Sequence, residues 1–394
     1  MLRSLSKFTV SALHKRWGHT ATVLDGKKIA GHWQSDLEAK VIDVTSLLGR
    51  APGLGVVLVG SRPDSRLYVQ RKQEACVKIG IKFWLQHLPE SVSQAAVESA
   101  VSQICQDTSM DGILVQLPLP KHLDEEAVVR ACDPRKDVDG FHPQHRQLLK
   151  NRQQPYFLPC TALGVMELIA RSGITLPGKT AVVIGDSSVV GTPLAMLLQA
   201  NGVAALTVCP RSSYPEAFES SHSNSEYSHA RADTEACLPH QPKPAGHHQT
   251  KDASQQLAVE QAPHITASKL SAEQRQQLSQ QIQTNLDVSD PPATYSAAMR
   301  DLPSIAQTAD ILIVAVGHAE LVKRSWIKPG AVVIDVGINV VGNIDTGEYH
   351  VVGDIAYAEV AQVASALTPV PGGVGPMTIA AVLHNTIQAA RSNC

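Results

Sequence analysis

Apolar residues along this chain of 394 residues fall into two repeating patterns. Short uninterrupted apolar runs have the length of buried strands, and the segments between them repeat apolar residues with the spacing of a helix face. From Asp25 to about Cys160, this alternation predicts strands at 55–60, 82–88 and 112–117 and helices at 65–79, 92–105 and 124–132. Uninterrupted apolar strands separated by helices indicate a parallel sheet that is covered on both faces.

The alternation begins again at Thr161. It predicts a helix at 163–172 and strands at 180–184, 206–209, 311–316 and 332–336. Strands and helices in this order are typical of a doubly wound sheet. We therefore predict an α/β protein of two domains, in which the second domain is of Rossmann type.

A long polar segment interrupts the second domain. Residues 212–300 are rich in Gln, Ser, His and Pro, and the apolar pattern stops at Cys209 and resumes near Leu302. A compact domain rarely contains so long a loop, so we interpret 212–300 as a disordered insertion. Within it, 271–286 is compatible with a polar helix. Its histidines are irregularly spaced and have no acid or thiol beside them, so no metal site is predicted.

Composition narrows the class of protein. Hydrophobic residues make up 43% of the chain and charged residues 18%, with a net charge of -2, as in an ordinary soluble enzyme without a nucleic-acid partner. No apolar run reaches the ~18 residues that a membrane helix needs. The seven cysteines are scattered and include no C-x-x-C pair, which argues against a disulfide scaffold and a structural zinc site.

The first 24 residues differ from the rest of the chain. They contain four basic residues, several Ser and Thr, interleaved apolar residues, and no acid before Asp25. This composition is typical of a transit peptide to a mitochondrion or plastid. A disordered basic tail is the alternative interpretation. We predict a transit peptide at 1–24 and a mitochondrial location, with plastid or cytoplasmic location left open.

One predicted helix carries a candidate catalytic lysine. Tyr68 and Lys72 are four residues apart on the helix at 65–79, so their side chains share one face. A solvated surface lysine is the ordinary interpretation. A lysine partly desolvated beside an aromatic hydroxyl would instead have a lowered pKa, which suits proton transfer.

Two further polar residues occupy positions typical of ligand contacts. Gln116 follows a buried strand at its carboxyl end, where open α/β sheets bind ligands, although it could simply cap the strand. Asp139 precedes Gly140 in a charged turn and is either a turn residue or a carboxylate that reads an amidine-like ring edge through paired hydrogen bonds.

Two glycine-containing loops are candidate binding surfaces. The run from Gly185 to Gly191 joins a strand to a helix and includes Ser187, which suits phosphate binding, although it lacks the full G-x-G-x-x-G pattern. The run 368–378 contains three prolines and three glycines directly before an apolar helical pattern. It is either a plain turn or a rigid main-chain surface for a ligand.

Together these motifs resemble the methylenetetrahydrofolate dehydrogenase/cyclohydrolase family. The resemblance extends from about Asp25 to Arg391, apart from the insertion. It rests on Ser65-Arg-Leu-Tyr-Val-Gln-Arg-Lys, Val115-Gln-Leu-Pro-Leu-Pro, Lys136-Asp-Val-Asp-Gly-Phe, Pro159-Cys-Thr, Gly337-Ile-Asn and the loop 368–378. The resemblance implies a catalytic domain at 25–160 that is completed by a C-terminal helix at 376–394, and an NAD(P)-binding domain at 161–365.

The resemblance also implies an activity. The family oxidises 5,10-methylenetetrahydrofolate to the 5,10-methenyl cation by hydride transfer to NADP or NAD, and then hydrolyses that cation to 10-formyltetrahydrofolate. We expect both reactions here, from a homodimer without a metal cofactor. By position, Tyr68 would stack on the folate, Lys72 would transfer protons, Gln116 would support Lys72, and Asp139 would hold the pterin ring.

The resemblance implies two sets of binding residues. Besides Tyr68, Lys72, Gln116 and Asp139, the folate site would include Val69, Gln70, Arg71, Val115, Leu117, Pro371, Gly372, Gly373, Val374, Gly375 and Pro376. The cofactor site would include Gly185, Asp186, Ser187, Gly191, Arg211 and Ile338.

The chain departs from the family at the cofactor loop. Asp186 stands where the family usually has an arginine that helps to bind the 2′-phosphate of NADP, so NADP binding is weakened unless Arg211 compensates. Two alternative functions follow from this departure and from the insertion. One is a cyclohydrolase with weak or lost dehydrogenase activity, and the other is a folate-binding protein without turnover.

Overall fold

Two parallel sheets organise the fold. The computed structural model describes residues 21–210, 277, 294–295, 301–343 and 348–392. In the first sheet the strand order is β3-β2-β4, with β2 at Gly53–Val59, β3 at Lys82–Leu88 and β4 at Gly112–Val115. Helices α2 (Pro63–Ile79) and α3 (Gln94–Gln106) connect these strands, so the predicted parallel arrangement is confirmed.

The second sheet contains seven parallel strands in the order β1-β12-β9-β8-β5-β6-β7. The strands are β1 (Thr22–Val23), β5 (Thr180–Ile184), β6 (Ala205–Cys209), β7 (Thr294–Tyr295), β8 (Ile311–Val314), β9 (Val332–Asp335) and β12 (Ala366–Leu367). A separate antiparallel hairpin is formed by β10 (Asn339–Asn343) and β11 (Glu348–Val352). The predicted class, an α/β protein with a second domain of Rossmann type, is confirmed.

The remaining helices are mostly short. They are α1 (Gly26–Leu48), α4 (Glu125–Arg130), α5 (Pro143–Lys150), α6 (Cys160–Arg171), α7 (Gly191–Ala200), α8 (Leu302–Ala306), α9 (Tyr357–Val360) and α10 (Val374–Ser392). No helix among the described residues is long and apolar enough to cross a membrane.

Helix α10 lies against α1 and α6 and joins them in one core. The contact with α6 is close, because a β-carbon on Gly164 would lie only 2.9 Å from the carbonyl carbon of Met377. On α1, apolar residues such as Trp33, Leu37 and Val41 recur with helical spacing and are buried. Helix α10 therefore belongs to the same core as α1.

A buried ion-pair network fixes α1 against α6. Arg171 donates to Glu167 on its own helix at 2.7 Å and to Asp36 of α1 at 2.8 Å. The guanidinium also lies 5.3 Å from the centre of the Trp33 ring. Breaking such a network on one side would leave an uncompensated buried charge, so it favours one packing of the two helices.

Two predicted segment boundaries differ from the structure. The predicted transit peptide at 1–24 overlaps β1, which pairs with β12, and Ala21 and Leu24 are buried; an edge strand of two residues is too short to give an apolar run. The C-terminal helix begins at Val374 rather than at residue 376. Residues 1–20 and most of the helix predicted at 271–286 lie outside the described residues.

The predicted insertion at 212–300 also needs correction at its carboxyl end. Thr294 and Tyr295 form β7, which pairs in parallel with Thr207 and Val208 of β6. Two residues of mixed polarity give no recognisable strand pattern, so the sequence analysis missed them. The sheet therefore resumes before residue 300.

Candidate active site

The predicted catalytic residues meet at the carboxyl edge of the first sheet. The Nζ atom of Lys72, on α2, donates a hydrogen bond to Oε1 of Gln116 at 2.9 Å. Gln116 follows β4 directly, and its Nε2 donates to the Leu117 carbonyl at 2.8 Å. Because that carbonyl can only accept, the amide nitrogen must face it and the amide oxygen must face the lysine.

Burial changes the proton affinity of Lys72. The side chain is only 7% exposed, and loss of solvation lowers its pKa. The Asp139 carboxyl group acts in the opposite direction and favours the charged amine. The lysine is therefore closer to releasing its proton near neutral pH than an exposed lysine is, as a proton-transfer group requires.

Asp139 lies beside Lys72 and is affected by the same burial. Burial raises the pKa of its carboxyl group, while Lys72 and a hydrogen bond with Cys160 lower it. The turn that presents Asp139 requires the following glycine: Gly140 has a φ of 76°, and a β-carbon there would lie 2.8 Å from backbone atoms of Pro159. Local backbone geometry thus fixes the position of this carboxylate.

Tyr68 connects this group to the C-terminal part of the chain. It lies one turn before Lys72 on α2 and is partly buried. A β-carbon built on Gly375 would lie 3.9 Å from the Tyr68 hydroxyl oxygen. Helix α10 therefore begins within van der Waals reach of the Tyr68 side chain.

The Pro/Gly segment consists of a loop and the start of a helix. Pro371, Gly372 and Gly373 lie in the loop, whereas Val374, Gly375 and Pro376 belong to the first turn of α10, contrary to the prediction of one continuous loop. The loop contacts the start of α1, where the Lys27 N–H donates to the Gly372 carbonyl at 3.0 Å. The peptide bonds before Pro118 and Pro371 are both cis.

The other predicted folate contacts are distributed by helical periodicity. Val69 is buried in the apolar core, and Gln70 and Arg71 are exposed, with Gln70 donating to Glu74 at 2.9 Å. Of the residues flanking Gln116, Val115 is buried and Leu117 is partly buried. Consecutive residues on a helix face different directions and cannot all contact one ligand. Tyr68 and Lys72, four residues apart, share a face that the residues between them do not.

The predicted phosphate loop lies at the carboxyl end of β5. It is closed on itself, because β-carbons on Gly185 and Gly191 would lie 2.2 Å from the Ala315 oxygen and 1.9 Å from the Gly185 oxygen. The Ser187 hydroxyl accepts from the N–H groups of Val190 and Gly191 at 3.2 and 3.4 Å. The two glycines thus allow close backbone packing at a junction of strand and helix, the position at which dinucleotide phosphates commonly bind.

Two further residues were predicted to contact the cofactor, and the structure describes one of them. Ile338 follows β9 and is 47% exposed, which suits an apolar contact with a ligand. Arg211 lies outside the described residues.

Sequence reasoning missed an acidic pair at the same edge of the second sheet. The Asp354 carboxylate accepts from the N–H groups of Val316, Gly317 and His318 at 2.7, 3.0 and 2.9 Å, and from Asn339 Nδ2 at 2.9 Å. It thus ties the loop after β8 to the loop after β9. In the sequence, Asp354 appears only in the pair Gly353-Asp354, which follows the hairpin and forms no recognisable motif. It could therefore not be identified from the sequence.

Asp335 holds the backbone around Asp354 in place. It accepts from the N–H groups of Gly337, Asp354 and Ile355, each at 3.0 Å. Burial and the neighbouring Asp354 raise the pKa of Asp335 to about 8. Two carboxyl groups that organise main-chain loops at the mouth of a dinucleotide sheet indicate a preformed binding edge.

Ser65 is a third residue that the sequence analysis did not identify. It lies on α2 two turns before Lys72 and is buried, and its hydroxyl oxygen has no hydrogen-bond partner among the described residues. In the sequence, only its place at the start of the motif Ser65-Arg-Leu-Tyr-Val-Gln-Arg-Lys set this serine apart.

Family models match both domains of the chain. The catalytic domain of tetrahydrofolate dehydrogenase/cyclohydrolase matches residues 24–139, and the NAD(P)-binding domain matches residues 159–224 and 282–394. The chain belongs to this family. The predicted family is thereby confirmed, and the gap in the match at 225–281 is narrower than the predicted insertion at 212–300.

Individual relatives are similar over nearly the whole chain. The bifunctional protein FolD 2 of Arabidopsis thaliana is 36% identical over 95% of this chain and 96% of its own length. The bifunctional protein FolD of Acetivibrio thermocellus is 38% identical over 94% and 97%.

Solved structures of the family are similar too. The Campylobacter jejuni bifunctional enzyme FolD matches with a TM-score of 0.68 and 31% identity, over 95% of this chain and all (100%) of that chain. The Trypanosoma brucei enzyme, solved with NADP and an inhibitor, matches with a TM-score of 0.70 and 29% identity, over 95% and 98%.

Proposed function

We propose that this protein oxidises 5,10-methylenetetrahydrofolate to 5,10-methenyltetrahydrofolate with NAD or NADP, and hydrolyses the product to 10-formyltetrahydrofolate. One observation carries the proposal: in a chain that matches both domains of the family, the buried Lys72 amine is held by the oriented amide of Gln116 beside Asp139. Folate is therefore the substrate class, and the reactions belong to one-carbon metabolism.

In the hydrolysis, Lys72 is the proposed proton-transfer group. Burial favours its neutral form, which can accept a proton from the water that adds to the methenyl carbon. Gln116 accepts a hydrogen bond from the amine and so holds Nζ in place. Once protonated, the lysine can return the proton to the ring nitrogen that leaves when the C–N bond breaks, while the new hydroxyl group loses its proton to solvent and becomes the formyl carbonyl.

In the oxidation, the proposed role of the protein is to position the substrate. NAD or NADP supplies the hydride acceptor, and Gly185, Ser187 and Gly191 would hold its phosphates. Tyr68 would stack on the folate, and Asp139 would bind the amidine-like edge of the pterin ring through paired hydrogen bonds. Pro371, Gly372 and Gly373 would line the site near the start of α10. Positioning of this kind is a main source of rate acceleration when no covalent intermediate forms.

The test compares two lysine substitutions on the same helix in protein that lacks residues 1–20. Lys72→Met should abolish hydrolysis of methenyltetrahydrofolate, followed by the loss of its absorbance. Lys78→Met is the matched control, because Lys78 is exposed on α2 and bonds only weakly to Gln34 at 3.5 Å. Equal hydrolysis by the two variants would exclude the proposed role of Lys72.

The cofactor loop favours a second candidate function. Asp186 places a carboxyl group in the loop that would hold the cofactor phosphates, which opposes the 2′-phosphate of NADP. A cyclohydrolase with weak dehydrogenase activity is therefore the alternative. Hydride transfer with NAD or NADP, followed by the appearance of methenyl absorbance, would exclude it. Failure of both oxidation and hydrolysis would instead favour a folate-binding protein without turnover.

Assembly and location are also proposals. We infer a homodimer, which light scattering of the purified protein would test. We infer targeting by the basic segment at the N-terminus, since one relative, FolD 1 of Arabidopsis thaliana, is described as mitochondrial and another, FolD 4, as chloroplastic. A fluorescent fusion to residues 1–20 would distinguish a mitochondrion from a plastid or the cytoplasm.

A further inference from the structure

Two cysteine thiols face each other at one end of the first sheet. Cys105 lies in the last turn of α3, and Cys132 follows α4. Their sulfur atoms are 3.7 Å apart, although the residues are 27 positions apart in sequence. A disulfide needs a sulfur–sulfur distance of about 2.05 Å, so the two sulfur atoms would have to move about 1.7 Å closer together.

The two thiols have different surroundings. Cys105 is partly exposed, and its sulfur accepts a hydrogen bond from the Asp133 N–H at 3.4 Å. Hydrogen bonding to Cys132 is the main factor that lowers the pKa of Cys105 to about 7, with smaller contributions from the Asp133 N–H and from Lys136. Cys132 is 6% exposed, and its hydrogen bond with Cys105, together with burial, raises its pKa.

This asymmetry matches the division of labour in a redox-active thiol pair. The accessible thiol that more readily forms a thiolate reacts first with an oxidant, and the sheltered thiol then resolves the product. The other described cysteines lack both features. Cys76, Cys160 and Cys209 are buried, and burial raises the pKa of each thiol.

We propose that Cys105 and Cys132 are a reversible redox modification site that takes a hydroperoxide as oxidant and closes to an intramolecular disulfide. The Cys105 thiolate attacks the peroxide oxygen, the O–O bond breaks, and the leaving alkoxide or hydroxide takes up a proton. Cys105 is thereby oxidised to a sulfenic acid. Cys132 then attacks that sulfur, losing its proton to the departing hydroxyl group, so that water leaves and the disulfide forms. A small thiol reduces the bond again by exchange.

The bond would join two segments that already meet. After Cys132 the chain runs beside β4, where the Ile113 N–H donates to the Lys136 carbonyl at 2.7 Å, and it reaches Asp139. Lys136 also donates from Nζ to the carbonyls of Asp107 and Met110, at 3.0 and 2.8 Å. The disulfide would therefore link α3 covalently to the segment that presents Asp139. It should raise the midpoint of thermal unfolding, because it constrains the unfolded chain.

The test uses the full chain, treated with low concentrations of hydrogen peroxide and then with a thiol-blocking reagent. Trypsin should cut after Lys82, Lys121, Arg130 and Arg135, so that Cys105 and Cys132 fall on separate peptides, 83–121 and 131–135. The expected result is a covalent pair of these two peptides, detected by mass spectrometry, which dithiothreitol separates. The thermal midpoint should rise on oxidation and return on reduction.

Two substitutions serve as controls. Cys132→Ser keeps a hydrogen-bond donor beside Cys105, so Cys105 should still react; sulfenic or sulfinic acid should accumulate there and the cross-linked peptides should disappear. Cys105→Ser should leave Cys132 unmodified at the same peroxide concentration. The proposal is overturned if wild-type Cys105 is over-oxidised while Cys132 stays a free thiol, or if Cys132 reacts equally fast in Cys105→Ser. It is also overturned if neither thiol reacts before the protein unfolds.

Discussion

The two parallel sheets build their carboxyl edges in different ways. At the first sheet the chemistry lies in side chains, with a buried amine held by an amide beside a carboxyl group. At the second sheet the binding edge is main chain, and the carboxyl groups of Asp335 and Asp354 serve to tie loops together. Under the proposed function, the first edge would transfer protons and the second would only hold the cofactor. Substitutions should therefore affect the two reactions unequally.

The largest effect is expected at Lys72. Lys72→Met should reduce hydrolysis of methenyltetrahydrofolate by about a hundredfold or more, the usual contribution of a general acid or base. Lys78→Met should leave the rate unchanged within about twofold, as exposed substitutions usually do. The measurement is kcat/KM with the spontaneous hydrolysis subtracted. A loss confined to the oxidation would contradict the assignment of proton transfer to Lys72.

A large but selective effect is expected at Asp354. Asp354→Asn removes one acceptor that serves buried N–H groups and should lower the stability by about 1–3 kcal/mol. It should reduce the oxidation by roughly tenfold and change hydrolysis little, because the loops that it ties lie at the second sheet. Thermal unfolding and both kcat/KM values measure this.

Asp310→Asn is the matched control for Asp354. Asp310 accepts from the Thr180 N–H at 2.9 Å and pairs with Lys328, immediately before β8 and so at the opposite edge of the same sheet. It should lower stability without a selective loss of oxidation. Equal losses of both reactions in Asp354→Asn would mean that the tie supports the whole fold instead of the binding edge.

An intermediate effect is expected at Gln116. Gln116→Glu would place a carboxylate against the Lys72 amine, which favours the charged form and raises the pKa of the lysine. Because the neutral amine is the proposed base, the pH profile of hydrolysis should move to higher pH, and the rate at neutral pH should fall. Gln116→Leu, which adds no charge, should lower the rate without an alkaline shift. An unshifted profile in Gln116→Glu would separate Lys72 from the observed pH dependence.

The smallest effect is expected at Asp186. Asp186→Arg should strengthen NADP binding by about fivefold, or about 1 kcal/mol, because it replaces repulsion of the 2′-phosphate with attraction. NAD binding should change less. Asp186→Asn removes the charge alone and should give part of the gain. Titration of cofactor fluorescence measures both, and an unchanged affinity for NADP in both variants would show that Asp186 lies away from the 2′-phosphate.

The sequence predicted the parts of the fold that depend on local pattern. Strand β5 was predicted with its observed bounds, 180–184, because a buried strand is a continuous apolar run. Strand β3 was also predicted with its observed bounds, 82–88, although it is a partly exposed edge strand of mixed composition. The helical spacing of Tyr68 and Lys72 also placed them on one face. The helix α1 was missed, as were β1 and β7, whose two-residue length carries no period.

The site was predicted only in part for a similar reason. A sequence motif is a run of consecutive residues, but a helix turns consecutive side chains toward different faces. Gln70 and Arg71 are therefore exposed while Lys72 is buried. Asp354 was missed because its role depends on loops that are distant in sequence, from Val316 to Asn339. Roles that arise from tertiary packing leave no local signal.

The two ends of the described chain each lie in the domain that is distant in sequence. Strand β1, near the start, extends the second sheet, while α10, at the end, completes the core around α1 and brings Gly375 close to Tyr68. The core around α1 therefore cannot be complete until α10 has been synthesised and has left the ribosome. A nascent chain that lacks its last helix would expose the apolar face of α1, so chaperone protection during synthesis and degradation of truncated chains should both depend on these final residues.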